Sequence, residues 1–342
     1  MSVVNARRLG PSLAGRMMGR NAIATMTILV LAVGLLIVMP FFLTDFLQLQ
    51  MTRFLAFAIF GMAYNLVYGY TGMLSLGHGA FFGMGAYTVG LLTLHTSVTS
   101  FWVALPIAVV VAAGGAAIFS FFFLRVKGSY FLLITFGFSQ LMYALTWSIK
   151  WFNKPGMQGI SDIKFPTIGV SGFTWTHQSF YFLTLAFFVI CYFLINAIIN
   201  SPFGHALVGM RENEDRMKAL GYNVWAFRYA VLVICGAFCG LAGLLFAYNG
   251  SFVYPNHLGF DYSWIPMLVV ILGGAGTKLG PIVGAGIVVW FEYFISLLTP
   301  QRWPLILGAL FIAVIMYFRG GVVAYVTRVF EKAGDKHEPA AD

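Results

Sequence analysis

The sequence predicts an all-α polytopic membrane protein of about ten transmembrane helices, with broken or re-entrant segments and both termini on the cytoplasmic side. Three observations carry that prediction. First, 60% of the 342 residues are hydrophobic and 9% are charged, against about 25% charged in a soluble domain. A soluble core cannot absorb that much apolar surface, so the bilayer must act as solvent. Second, Phe54 to Leu124 and Phe165 to Met210 each run without Asp, Glu, Lys or Arg, and a spanning helix needs about 20 apolar residues. Third, the 20 basic residues are unevenly spread. With the N-terminus inside, fifteen fall in inside segments, and Arg53, Lys150, Lys154, Lys164 and Arg302 make five outside. That asymmetry is the positive-inside pattern of an even number of crossings. The net charge of +9 therefore reports orientation rather than affinity for nucleic acid.

Taken in order, the basic segment 1–20 (Arg7, Arg8, Arg16 and Arg20) precedes an uncharged run from Asn21 to Thr44. That run is too long for a signal-peptide core and no small-residue cleavage site closes it, so it reads as a retained first span. The transmembrane body covers 21–320, with spans near 21–43, 52–70, 74–94, 102–124, 128–149, 178–200, 227–248, 263–278, 282–299 and 303–318. Eight crossings result if one short pair is re-entrant. Residues 321–342 form a cytoplasmic tail. The outside loop 150–177 is rich in Gly, Pro and Trp and could dock an external partner. The inside loop 201–225 holds "MRENEDRMKALGYNV", the one densely charged stretch between spans. Met210, Met217, Leu220 and Val224 recur near helical spacing, which predicts a short amphipathic helix ending at Gly221.

Catalytic chemistry is missing. "GGAGTKLG" from Gly273 has neither the spacing nor the Ser/Thr of a phosphate loop. Cys191, Cys235 and Cys239 sit in apolar runs and read as packed core. No His, Cys, Asp or Glu set has metal or catalytic spacing, so no metal, cofactor or enzymatic activity is expected. Glu292, in "VVWFEYFISLL", is the clearest ionisable group within a span. It is either a gate residue or a helix-end carboxylate reaching the outer interface.

Glycine is patterned. Ser75, Gly79 and Gly83 follow a four-residue spacing, as do Gly276, Gly280 and Gly284, and the pair Gly236 and Gly240. Small residues so spaced let helices pack closely in lipid. Gly69, Gly72 and Gly77 fall off the first stripe, and each costs about 1 kcal/mol of helix propensity. They predict an unwound segment, which survives at membrane depth only where protein or a water-filled cavity surrounds it. The block "VILGGAGTKLGPIVGAGIV", with Gly273, Gly274, Gly276, Gly280 and Gly284, reads as a looser second copy.

Three blocks resemble the permease subunits of branched-chain amino-acid ABC importers, of the LivM branch. They are "GYTGMLSLGHGAFFGMGAY" from Gly69, "SPFGHALVGMRENEDRMKALGYNVWAFRYAVLVICGAFCGLAGLLFA" from Ser201, and "VVILGGAGTKLGPIVGAGIVVWFEY" from Val269. The resemblance implies the fold of the larger ABC-importer permeases, a bacterial inner-membrane location, and an importer driven by ATP hydrolysis on separate chains. It also implies a partner set: a second, LivH-like permease, two ATPase subunits and an extracytoplasmic binding protein. The cargo would be a branched-chain or other hydrophobic amino acid. Alternatives are a same-family permease for urea, short amides or another small carboxylate compound, and a stand-alone channel or secondary transporter. Tyr70, Gly72, Ser75, Gly77, His78, Phe81 and Gly83 are expected to line the path, although His78 could equally be a helix-packing histidine. Arg211, Glu212, Glu214, Asp215, Arg216, Ala219 and Gly221 are expected to couple to the ATPase. In that loop Arg216 and Met217 stand where related permeases often have small residues.

Overall fold

The computed structural model describes residues 34–96, 100–166, 176–298 and parts of 305–325. The chain divides into two compact units, 1–48 and 49–342. In the first, residues 34–38 are helical and lead into a 3₁₀ turn at Met39–Phe41. There the Gln48 amide donates to the carbonyls of Pro40 (3.0 Å) and Leu43 (3.1 Å). Most of the predicted first span, and much of the one at 303–318, lies outside the described residues.

The helices are α1 (Asp45–Thr71), α2 (His78–His95), α3 (Phe101–Phe123), α4 (Ser129–Ser148), α5 (His177–Asn200), α6 (Pro202–Glu212), α7 (Glu214–Ala219), α8 (Val224–Gly250), the single turn α9 (Phe260–Ser263), α10 (Ile265–Gly273) and α11 (Gly280–Leu298). Among the described residues α1, α3, α4, α5, α8 and α11 are long and apolar enough to cross a membrane. Sequence-local caps start several of them. Thr176 and Ser179 form a capping box on α5, Ser201 caps α6 ahead of Pro202, and the Asn223 side chain accepts from Ala226 N–H at 3.1 Å on α8.

The predicted span 263–278 is corrected. Helix continues only from Ile265 to Gly273, after the one-turn α9. At about 1.5 Å per residue, 260–273 falls short of the ~30 Å hydrocarbon layer, and glycines carry the chain on from there to α11. Arg53, counted among the outside charges, lies inside α1, where its charge is met by Glu292 of α11 at 2.9 Å.

The buried centre is α1, α2 and α8, with α8 packed directly on both α2 and α3. Ala104, Ala108, Ala112 and Ala116 form a four-residue stripe on α3, each at most 1% exposed. It meets Gly236 and Gly240 of α8, as the packing reading of that pair expected. On α8's other side a Cβ on Gly243 would lie 1.9 Å from the Phe82 carbonyl of α2. Such backbone contact replaces the hydrophobic drive that lipid cannot supply. Around it Phe57, Phe60, Phe82, Phe246 and Tyr262 stack at centroid distances of 4.7 to 6.3 Å. The three cysteines are buried and free.

A two-residue ribbon, β1 (Ile160–Ser161) with β2 (Phe252–Val253), runs antiparallel and ties the 150–166 segment to the end of α8. Ile160 of the ribbon and Ile163 just after it are buried. Lys154 reaches Asp162 at 2.6 Å and pulls that carboxyl below its usual range.

Candidate functional site

The first glycine cluster is a break between two helices. α1 stops at Thr71 with Gly72 at φ +74°, its N–H bonded to Tyr68 O at 3.1 Å. That left-handed cap suits glycine because no Cβ meets the carbonyl. α2 begins only at His78, so positions 72–77 are unwound. Unwound backbone at membrane depth needs partners, and the sequence supplies them. The Tyr64 hydroxyl donates to Ser75 O at 3.0 Å and accepts from Ser75 N–H at 3.4 Å. Thr135 of α4 accepts from Leu76 N–H at 3.1 Å, and the Ser75 hydroxyl accepts from Gly77 N–H at 3.3 Å.

The expected path residues separate. Ser75, His78 and Phe81 are each at most 1% exposed, and Tyr70 is 7% exposed. Gly72 is exposed. The His78 ring stands edge-on to Tyr64 (5.0 Å) and Phe81 (5.9 Å), and neither nitrogen has a hydrogen-bond partner among the described residues. The packing stripe also shortens: Ser75 is in the break, while Gly79 meets Ser263 and Gly83 meets Leu258.

The late block forms a second break, positions 274–279 between α10 and α11. It begins with Gly274 at φ +121°, and Gly276 has φ +78°. Gly280 and Gly284 of α11 face Gly273 and Val269 of α10, so their stripe closes a tight helix pair. Asn65 of α1 staples that helix to the second break. Its amide donates to Thr277 O at 3.0 Å, and its carbonyl oxygen accepts from Gly276 N–H at 2.9 Å. Gly69 leaves room for this; a Cβ there would lie 1.9 Å from Asn65 Oδ1 and 2.6 Å from Gly276 N. The Arg211 guanidinium closes the junction by donating through Nη1 to Gly69 O.

The charged segment 201–225 is an elbow of two helices, which corrects the single amphipathic helix. Asn213 has extended backbone (φ −156°, ψ 100°), and its side chain caps α7 by accepting from Arg216 N–H at 2.8 Å. Met210, Met217 and Val224 do converge, together with Ala206 and with Phe227 against them. Leu220 does not; it is 67% exposed. Gly221 follows α7 at φ +87°.

Glu214 is the electrostatic centre of the elbow. Its carboxylate accepts from Lys127 (2.8 Å), Lys218 (2.7 Å) and Arg228 (2.9 Å). Lys127, then Lys218 and Arg228, push its carboxyl down to about 2. Glu212, Asp215, Arg216 and Ala219 are exposed. Beside the clamp opens a cavity of about 410 Å³ bounded by Gly72, Met73 and Leu74 of the first break, by the α3–α4 loop with Lys127, and by Glu214 and Arg228. No cluster of metal-ligating side chains occurs among the described residues.

Glu292 is held by Arg53, whose Nη2 donates to both carboxylate oxygens at 2.9 Å; the side chains are 18% and 23% exposed. Arg53 is a functional candidate that sequence reasoning missed, because its partner is 239 positions away. Asn65 and the Lys127–Arg228 pair were missed for the same reason. In the outer turn Pro255–Leu258, His257 is buried against Tyr262 and accepts from Tyr254 N–H at 3.3 Å, while Asn256 donates to Asp261 at 3.0 Å.

Comparison with known proteins places this arrangement. Residues 47–318 match the family model described as branched-chain amino acid transport system / permease component. The chain is 31% identical over 256 residues to the high-affinity branched-chain amino acid transport system permease protein LivM of Escherichia coli K12, covering 68% of this chain and 60% of that protein. The Salmonella typhimurium LivM is 32% identical over 260 residues, covering 70% and 61%. An autoinducer 2 import system permease protein, LsrC of Escherichia coli, is 25% identical over 158 residues, or 44% of this chain and 43% of that protein. The chain thus spans about three-fifths of the length of the two LivM proteins. No solved structure matches it. On a family match covering most of the chain, supported by relatives above 30% identity, this protein belongs to the branched-chain amino acid transport system permease family.

Proposed function

We propose that the chain is a membrane-spanning permease subunit of an ATP-driven importer and forms half of a translocation path for branched-chain or other hydrophobic amino acids. The observation that carries this reading is the junction of two broken helices with one charged elbow, through Asn65 and Arg211. Broken helices present backbone groups and helix ends to a polar cargo at membrane depth. Apolar walls such as Met73 and Leu74, beside Lys127, Arg228 and Glu214, suit an aliphatic side chain carrying a zwitterion. On this reading the path follows Tyr70 to Gly83, entered from inside at Gly72, with His78 and Phe81 hidden until the helices move.

The proposed membrane arrangement has an even number of crossings, eight where the short α10 belongs to a re-entrant pair, and cytoplasmic termini, with 201–225 inside and 150–177 outside, in a bacterial inner membrane. The basic residues of the elbow and of the α3–α4 loop support that orientation. Hydrolysis would take place on two separate ATPase subunits docked on the exposed face of α7, with Glu212, Asp215, Arg216 and Gly221 at the contact. A LivH-like permease would supply the other half of the path, and a binding protein would deliver cargo near 150–177. Glu292, held by Arg53, would act as an outer gate latch.

Co-purification tests the reading. The full-length chain, isolated in mild detergent from its native membrane, is expected to bring a nucleotide-binding subunit with it. Isolation of the chain as a transport-competent protein without such a subunit would favour a channel or secondary transporter.

A further inference from the structure

We infer that Arg211 is a positioning residue for transport: a strut that carries movement of the α6–α7 elbow to both broken helices. The inference rests on the reading of that elbow as the ATPase-facing surface. Arg211 sits in the last turn of α6, one residue from the helix end and two from the Asn213 bend. Its stem is exposed, yet the guanidinium reaches back to Gly69 O in the last turn of α1. Its Cγ is 3.3 Å from where a Gly72 Cβ would lie, and its Nη1 is 3.2 Å from where a Gly276 Cβ would lie. One side chain therefore touches the elbow, the first break and the second break.

The chemistry suits a contact that shifts. Gly69 O belongs to the last turn of α1, where carbonyls lack helical partners and carry partial negative charge. A cation is attracted there. No carboxylate pairs with Arg211 among the described residues, so its hold is on backbone rather than on an ion. Five donors in a planar fork can pass from one carbonyl to a neighbour without leaving a charge unpaired. The elbow is stiff enough to drive it, since Met210, Met217 and Val224 pack together and Glu214 binds Arg228 of α8. Asn65 makes the response joint, because Gly276 and Thr277 are fastened to the helix whose end Arg211 holds.

The test uses the assembled transporter in proteoliposomes, comparing the unmodified chain with Arg211→Gln and Arg211→Lys. Uptake of labelled leucine and ATP hydrolysis are measured on the same vesicles. Arg211→Gln is expected to assemble normally and to keep hydrolysis within about twofold, while ATP consumed per leucine rises about tenfold. Arg211→Lys, which keeps a charged donor, is expected to recover most of the coupling. An unchanged ratio in Arg211→Gln overturns the strut. Where Arg211→Gln fails to assemble, a second measurement decides. For that measurement, Thr277→Cys in the otherwise unmodified chain is labelled with a thiol reagent. Its rate is expected to differ about tenfold between the resting and the ATP-trapped state, and the difference is expected to persist on adding Arg211→Lys, which keeps a charged donor toward Gly69 O. Equal rates in the two states overturn the proposal. Failure of any ATPase to co-purify with the unmodified chain overturns the functional reading, and the strut with it. A coupled ATPase whose ratio ignores Arg211 overturns the strut alone.

Discussion

Replacing Glu214 with Gln should release α7 from the permease body while leaving α8 folded. The magnitude follows from the three contacts. Lys127 is 67% exposed, so its pair contributes about 0.2–1 kcal/mol, as solvent-screened pairs do, and the exposed Lys218 adds little. Arg228 and Glu214 are 18% and 21% exposed. That pair lies between the surface range and the 3–5 kcal/mol of breaking a fully buried one, so about 1–2 kcal/mol is appropriate. Together the loss is about 1–3 kcal/mol, which raises the detached population of α7 about 5- to 150-fold. Hydrogen exchange on the purified chain reads this directly. Amides of 214–220 should lose protection by that factor, with little change in the buried part of α8. Lys127→Ala should cost about fivefold at most, and Arg228→Gln should reproduce most of the effect. Unaltered exchange in 214–220, or an equal loss throughout α8, would refute the reasoning.

Three further outcomes follow. Because the carboxyl of Glu214 is pushed down to about 2, its contribution is complete above the ordinary value near 4.5. It is lost as pH falls from there toward 2. Exchange in 214–220, corrected for intrinsic rates, should be constant between about pH 7 and 5 and rise only in stronger acid. Glu292→Gln, which strands the Arg53 guanidinium, should lower thermal stability by about 2–4 kcal/mol. The paired change Arg53→Met with Glu292→Leu should recover most of it in a detergent melt. Tyr64→Phe keeps the ring against His78 but removes both hydroxyl contacts with Ser75. It should cost about 1–2 kcal/mol and increase the thiol-reagent reactivity of a cysteine introduced at Leu74.

The long helices were legible because uninterrupted apolar runs set their lengths. α3, α4 and α5 begin and end within a residue or so of the sequence reading, and α8 within three. The unwinding at 72–77 was also legible from Gly72 and Gly77, although Gly69, read with them as a breaker, stays helical in α1 and makes room for Asn65. Length misled at 263–278, where apolar character continued past Gly273 although the backbone left the helix at Gly274. The bend at Asn213 had a local signal, an Asn followed by two acidic residues that are good company at a helix start. The hydrophobic spacing across it masked that signal. What no local pattern could reveal was the junction. Arg211 stood among residues expected to face outward, and its carbonyl partner lies 142 positions earlier. Asn65 looked like a polar residue stranded in a span until Gly276 and Thr277 were found against it.

Transport itself tests the central claim most directly. The chain is reconstituted into proteoliposomes with its partner permease, its ATPase subunits and a cargo-loaded binding protein, and uptake of labelled leucine is followed. The account predicts uptake that requires hydrolysable ATP and disappears when this chain is left out. Uptake by this chain alone down a leucine gradient, with no dependence on ATP, would contradict it.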